Sequence, residues 1–326
     1  MKTSVIFGAL AGLGLTAFLI AWSGVGAVGN AIAMAGWRGV GAVTLFQLVP
    51  VILCGLAWRM ISGKDCPASG ATFVWARFLR DGVGQVLAVL PLAEPVLAAR
   101  MLVLRGVSGA MAVTTVVADL TMEVLSQVAF TLLGVGLLFV RRPDSNIIHY
   151  ALIGAAVAAP AVIGFLLAQR KGLFSLMERL AHRLSAGWEW PAGDLGQALD
   201  QGLEVIYSRP LRVLAAFFLH LLGWIVSCGG SWIGLRFMGH PLTFAECVAL
   251  ESLVFAIRNV AFMVPWGAGV QEGGYAVVGA LFGLGPETAL GFSLLKRARD
   301  VVMGVPSILV WQLVESRRLL RKDTGA

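Results

Sequence analysis

Residues 264–287 read V-P-W-G-A-G-V-Q-E-G-G-Y-A-V-V-G-A-L-F-G-L-G-P-E. The stretch is apolar enough for a bilayer. Yet Pro265 and the glycines at 267 and 269 break it near its start, and Glu272 puts a carboxylate beside the break. A continuous spanning helix needs none of this. Backbone outside a helix is tolerated at membrane depth only where protein buries it or a wet cavity meets it. Hydrophobic segments interrupted by Gly and Pro are also the best sequence pointer to a transporter's binding site. The stretch is expected to be a broken, re-entrant element. The plainer alternative is a loop followed by a short interfacial helix.

Composition supports a membrane setting. Of 326 residues, 58% are hydrophobic and 13% charged, against roughly 25% charged in a soluble domain, and the mean hydropathy is +0.83. The expectation is an all-α polytopic membrane protein, a single integral-membrane domain over 1–326. The net charge of +7 does not argue for nucleic acid, because the basic residues cluster at the ends of apolar runs. There they set orientation and meet anionic headgroups. Cys54, Cys66, Cys228 and Cys247 show no paired metal-ligand or redox spacing, so they read as packing residues, and no cofactor is expected. The run Val5–Trp22 follows Lys2 as in a signal peptide, but it exceeds a typical 7–15-residue apolar region and is read as a retained first span.

Outward from the broken stretch, the apolar runs predict about six full transmembrane helices plus two re-entrant hairpins. The spans are Val5–Trp22, Trp37–Trp58, Ala110–Val140, Ile147–Ala168, Leu211–Leu235 and Glu287–Val314, with Phe244–Val264 leading into the break. The other hairpin is Val83–Val103, interrupted by P-L-A-E-P at 91–95 and flanked by Arg80, Arg100 and Arg105. Arg59, Lys64, Arg77 and Arg80 read as cytoplasmic markers. So do Arg317, Arg318, Arg321 and Lys322, which places both termini in the cytoplasm. Residues 169–210 read as an amphipathic cytoplasmic linker. Leu173–Leu184 forms a surface helix, and Leu195, Leu199, Leu203 and Ile206 form a second apolar stripe. The letters G-V-G-A-V-G at 24–29 match a dinucleotide fingerprint only by chance, since no βαβ unit surrounds them.

The halves repeat each other. C-G-L-A-W at 54–58 returns 174 positions later as C-G-G-S-W at 228–232, and Pro91 returns as Pro265. Glu94 aligns near Glu272. At 177 positions Gly106 meets Gly283, Asp119 meets Lys296 and Glu123 meets Asp300. Three spans separate equivalent elements, so the copies (37–168 and 211–316) are expected to be inverted, with a site at their interface.

Ionisable side chains inside spans cost at least ~2.5–3.5 kcal/mol each, so they face a cavity or a partner. Asp119 and Glu123 share one helix face, as do Lys296 and Asp300. Arg297, Arg299, Arg258 or Arg100 are the expected counter-cations. The candidate substrate-binding residues are Glu94, Arg100, Asp119, Glu123, Arg258, Asn259, Pro265, Gly267, Gly269, Glu272, Lys296 and Asp300. Arg258–Asn259 is a candidate anion contact, while His220 reads as a packed or hydrogen-bonded helix residue. Two roles stay open for these charges: a closed ionic clamp between the halves, or a receptor for a polar headgroup. No nucleophile elbow, Walker loop or metal-ligand cluster points to an enzyme.

The pattern P-x-G-x-G-x-x-E, here P-W-G-A-G-V-Q-E at 265–272, resembles the signature of the lysylphosphatidylglycerol synthase transmembrane-region family. That family includes the flippase half of the multiple-peptide-resistance proteins. F-V-W-A-R-F-L-R-D at 73–81 and A-A-R-M-L-V-L-R-G-V-S at 98–108 are similar to its HpnL-type branch, associated with hopanoid biosynthesis. The resemblance implies a bacterial inner-membrane lipid flippase or lipid-transfer component. Its partners would be membrane lipids, a hopanoid or an anionic phospholipid, and hopanoid-biosynthesis enzymes. It also implies Glu272 and its neighbouring glycines as a structural or gating element. A membrane scaffold for hopanoid-modifying enzymes and an integral-membrane lipid transferase are the alternatives. The transferase domain of larger relatives has no counterpart in this sequence, and their P-G-G turn is P-W-G here.

Overall fold

The computed structural model describes residues 25–86, 93–141, 195–260 and 269–323. In chain order the helices are α1 (Val25–Phe46), α2 (Leu48–Ser62), α3 (Gly70–Val86), α4 (Ala93–Val103), α5 (Gly109–Arg141), α6 (Leu195–Tyr207), α7 (Pro210–Phe237), α8 (Phe244–Val260), α9 (Val270–Ala280) and α10 (Pro286–Asp323). No strand occurs among the described residues. The expected segments Val5–Trp22, Ile147–Ala168 and Leu173–Leu184 lie outside them, as do Pro91, Pro265 and Gly267.

Several helix starts carry the signals expected of them. Ser69 starts α3 by accepting the Thr72 N–H at 3.3 Å. Thr243 and Glu246 form a reciprocal capping box on α8: the Thr243 N–H donates to Glu246 at 2.8 Å, and the Glu246 N–H donates to the Thr243 hydroxyl at 3.3 Å. Such boxes satisfy helix-end donors that have no partner within the helix. Pro210 opens α7 and Pro286 opens α10, a position where the missing N–H costs nothing. The expected span Trp37–Trp58 is instead two helices meeting at Gln47, and α1 is kinked at Gly36 (φ 71°). The expected last span lies inside α10, which continues to Asp323.

The order 17-residue helix, 11-residue helix, long helix occurs twice. Residues 87–92 separate α3 from α4, and 261–269 separate α8 from α9. Gly106 and Gly283, which follow the two short helices, both have positive φ (86° and 78°). The halves cross over. α2 packs on α7, α3 on α10, and α8 on α5. Two glycines allow the close approach: a Cβ on Gly82 would lie 2.6 Å from that of Ser307, and one on Gly134 would lie 2.6 Å from that of Ser252.

Two apolar cores result. One gathers Trp58, Phe73, Leu79, Leu102 and Val116 with Ala216; the other gathers Phe130, Leu235, Leu250, Tyr275, Phe292 and Leu295. Long helices serve both. In α5, residues 112–122 enter the first core and Phe130 and Leu138 the second. The charged residues around 119–123 fall at this changeover. α6 packs on α5 with Leu199 buried, so the apolar stripe expected of the linker faces the bundle.

Among the described residues, three stretches are long and apolar enough to cross a membrane: Ala33–Ser62, Gly109–Val140 and Pro210–Phe237. The outer face of α2 exposes Leu48, Ile52, Leu56 and Met60 at four-residue spacing while Val51 and Trp58 are buried. A soluble protein rarely leaves so long an apolar stripe bare. A bilayer covers it.

Candidate functional site

Between the halves lies a cavity of about 360 Å³, within the range of small-molecule sites. Pro50, Val51, Cys54, Gly223, Trp224, Ser227 and Phe255 are among its neutral lining, and nine ionisable side chains line it as well. Arg77, Asp81, Glu94 and Glu123 come from the first half. Arg258, Lys296, Arg297, Arg299 and Asp300 come from the second. The first wall is therefore net negative and the second net positive.

The first wall is a closed ionic lattice between α3 and α5. Arg77 makes two parallel bonds to Glu123, at 2.6 and 3.0 Å, and a third to Asp81 at 2.8 Å. Arg80 reaches Asp119 at 2.9 Å and also pairs with Glu123. His220 of α7 meets the other Asp119 oxygen at 2.9 Å. The Arg77 fork suits a planar carboxylate better than a lysine does. Arg77 and Arg80 spaced three apart on α3 can grip Asp119 and Glu123 spaced four apart on α5 because each set shares a helix face. The counter-cations are thus Arg77 and Arg80, not the expected Arg297, Arg299, Arg258 or Arg100. Their place beside an apolar run makes them look like orientation markers, yet both are buried.

The second wall centres on Glu251. Ser231 donates to it at 2.6 Å, Tyr275 at 2.9 Å, and Lys296 pairs with its second oxygen. The Lys296 ammonium also stands 5.6–5.8 Å from the ring centroids of Phe255, Tyr275 and Phe292, close enough for cation–π attraction. Arg299 pairs with Asp300 at 2.6 Å and donates to Gln47 at 3.0 Å, while the Gln85 side-chain amide lies against Asp300 and donates to it once its nitrogen is turned toward the carboxylate. Asp300 thus links α10 to α3 across the halves.

The remaining candidates divide. Glu272 accepts Arg297 at 2.6 Å and, through its other oxygen, the Gly269 N–H at 2.9 Å. Gly269 has φ 78°, which L side chains rarely adopt. It turns the chain into α9 while Glu272 supplies the acidic half of a capping box. Arg100 pairs with Glu315 at 2.8 Å, joining α4 to α10 away from the cavity lining. Asn259 is exposed. Glu94 lies in the cavity against Gly84. So Glu94, Glu123, Arg258, Lys296 and Asp300 share the cavity, with Asp119 and Glu272 one contact behind it.

Arg77, Arg80, Asp81 and Glu251 are missing from the sequence candidates. Glu251, a lone carboxylate inside the apolar run of α8, was visible as such. Arg77 and Asp81 also announce themselves as an i, i+4 pair.

The apolar outer faces, the paired helix breaks and the ionic interior define a polytopic α-helical membrane protein with a charged cavity between its halves. It belongs to the lysylphosphatidylglycerol synthase TM region family, whose model matches residues 9–307. No curated protein and no solved structure matches the chain.

Proposed function

We propose that the protein carries a polar lipid between leaflets, or hands it to another protein, with the headgroup passing through the ionic cavity and the tails remaining in the bilayer. The observation that supports this most is the cavity itself: nine ionisable side chains from both halves converge on one space at the changeover between two apolar cores. Dragging an unpaired headgroup through hydrocarbon costs several kcal/mol per polar group or more. A path lined by fixed charges and amides lowers that barrier. The family name places a lipid-modifying system beside this membrane region, which supports a lipid substrate. A hopanoid or a related polar lipid of the bacterial inner membrane is the substrate class that the branch resemblance supports, with both termini cytoplasmic.

The twice-used order of elements supports an inverted duplication. In it the helix pairs α3–α4 and α8–α9 enter from opposite leaflets, and the cavity lies between the two copies. Transport is tested in proteoliposomes holding a lipid labelled on its tail, with quencher added outside. Loss of inner-leaflet label faster than in protein-free vesicles is the expected result; equal rates would refute translocation.

One observation favours a second reading. Seven of the nine ionisable lining groups are already ion-paired within the protein, as a structural clamp in a non-transporting scaffold would be. Co-purification with a lipid-modifying enzyme, together with no flux in vesicles, would decide for the scaffold.

A further inference from the structure

Two ionisable lining groups make no hydrogen bond or ion pair among the described residues, although Glu94 stands within reach of the charges of the first wall. Among the described residues, Glu94 of α4 has no hydrogen bond or ion pair, and Arg258 of α8 has only the face of Phe255, at 5.8 Å. They carry opposite signs and come from opposite halves. Glu94 also occupies space that only a glycine at 84 leaves open, since a Cβ there would run into its carboxyl. An ionisable group held in a cavity without a partner is costly, and such groups often serve a substrate or ion.

We infer that the cavity receives a zwitterionic headgroup with one ammonium and one phosphate, the phosphoethanolamine type. The ammonium sits on Glu94 and the phosphate on Arg258. The alternatives fit less well. A purely anionic headgroup satisfies Arg258 and leaves Glu94 facing an anion, and an uncharged polyol leaves both charges uncompensated. A guanidinium holds phosphate through two parallel bonds, and a carboxylate is the natural acceptor for an ammonium. The net-negative first wall and net-positive second wall orient the headgroup the same way. This inference rests on the cavity being a headgroup site, but its binding arm is independent of transport.

The test is lipid binding by native mass spectrometry of the purified full chain, offered equal amounts of phosphatidylethanolamine and phosphatidylglycerol with identical tails. The wild type is expected to favour phosphatidylethanolamine. Glu94→Gln is expected to cut that preference about tenfold, equivalent to 1.4 kcal/mol, and Arg258→Gln to weaken both lipids. Gly84→Ala, which displaces the Glu94 carboxyl, should lower the preference as Glu94→Gln does, and it serves if that variant does not assemble. Equal occupancy by the two lipids, no binding of either, or a preference intact in the Glu94 and Gly84 variants would overturn the inference. A clear phosphatidylethanolamine preference with no flux in vesicles would sink the transport reading alone. Flux that ignores the headgroup would sink this inference alone.

Discussion

Glu251→Leu removes the centre of the second wall. The carboxylate is buried and holds three partners: Ser231 at 2.6 Å, Tyr275 at 2.9 Å and the Lys296 ammonium. Taking away one member of a buried ion pair strands the other, at about 3–5 kcal/mol. The two hydroxyls each lose an acceptor, worth about 1 kcal/mol apiece. Against this, the three aromatic rings around Lys296 retain some hold on the ammonium, on the order of 1–2 kcal/mol in a dry site. The net loss stays near 3–5 kcal/mol. At roughly 2–4 °C per kcal/mol for chains of 150–250 residues, the melting temperature should fall by about 10 °C. Glu251→Leu combined with Lys296→Met replaces the pair with apolar groups, an exchange that is often neutral or stabilising. It should recover most of the loss. Thermal melts followed by fluorescence-detected size exclusion in mild detergent measure both. If the double variant melts as low as Glu251→Leu, the two residues are not coupled and the second wall is misassigned.

Other substitutions probe separate parts of the bundle. Gly134→Leu drives a side chain into Ser252 where α5 crosses α8, and overpacking of this kind costs about 1–3 kcal/mol. It should lower the melting temperature by several degrees, whereas Gly136→Leu, with open space at its Cβ, should not. Glu272→Gln keeps the capping bond to Gly269 but loses the charge pair with Arg297. Its stability should fall by less than about 1 kcal/mol, while lipid flux falls further because an unpaired guanidinium is released into the cavity. Gly269→Ala puts a side chain at φ 78°, a strain of about 1–3 kcal/mol, measurable in the same melts.

Much of the fold is legible in the sequence because bilayers impose a one-dimensional rule: long apolar runs become long helices. The runs 110–140 and 211–235 agree with α5 and α7 to within two residues. Helix joints are harder. The joint at Gln47 divides the run expected as Trp37–Trp58, and Pro50 in the first turn of α2 is its only local signal; the bend at Gly36 falls just before that run. The glycines at 106 and 283, paired by spacing alone, do share a positive φ. At the site, the carboxylates Asp119 and Glu123 stand out as costly residues in an apolar helix, but their partners do not. Arg77 and Arg80 are 39 to 46 residues away in the chain, and nothing local separates a basic residue at a membrane edge from one folded inward. Only the fold, which brings the long Arg77 and Arg80 side chains of α3 within reach of α5, makes that distinction.

The most direct test of headgroup passage is to fill the passage. Ser227 lines the cavity from α7, and Ser227→Trp should occupy much of its 360 Å³ while leaving both ionic walls in place. With tail-labelled lipid and external quencher, wild-type proteoliposomes should lose inner-leaflet label well ahead of empty vesicles. Ser227→Trp, eluting as a folded protein, should match the empty vesicles. Flux through the blocked variant at the wild-type rate would mean that lipid takes another route.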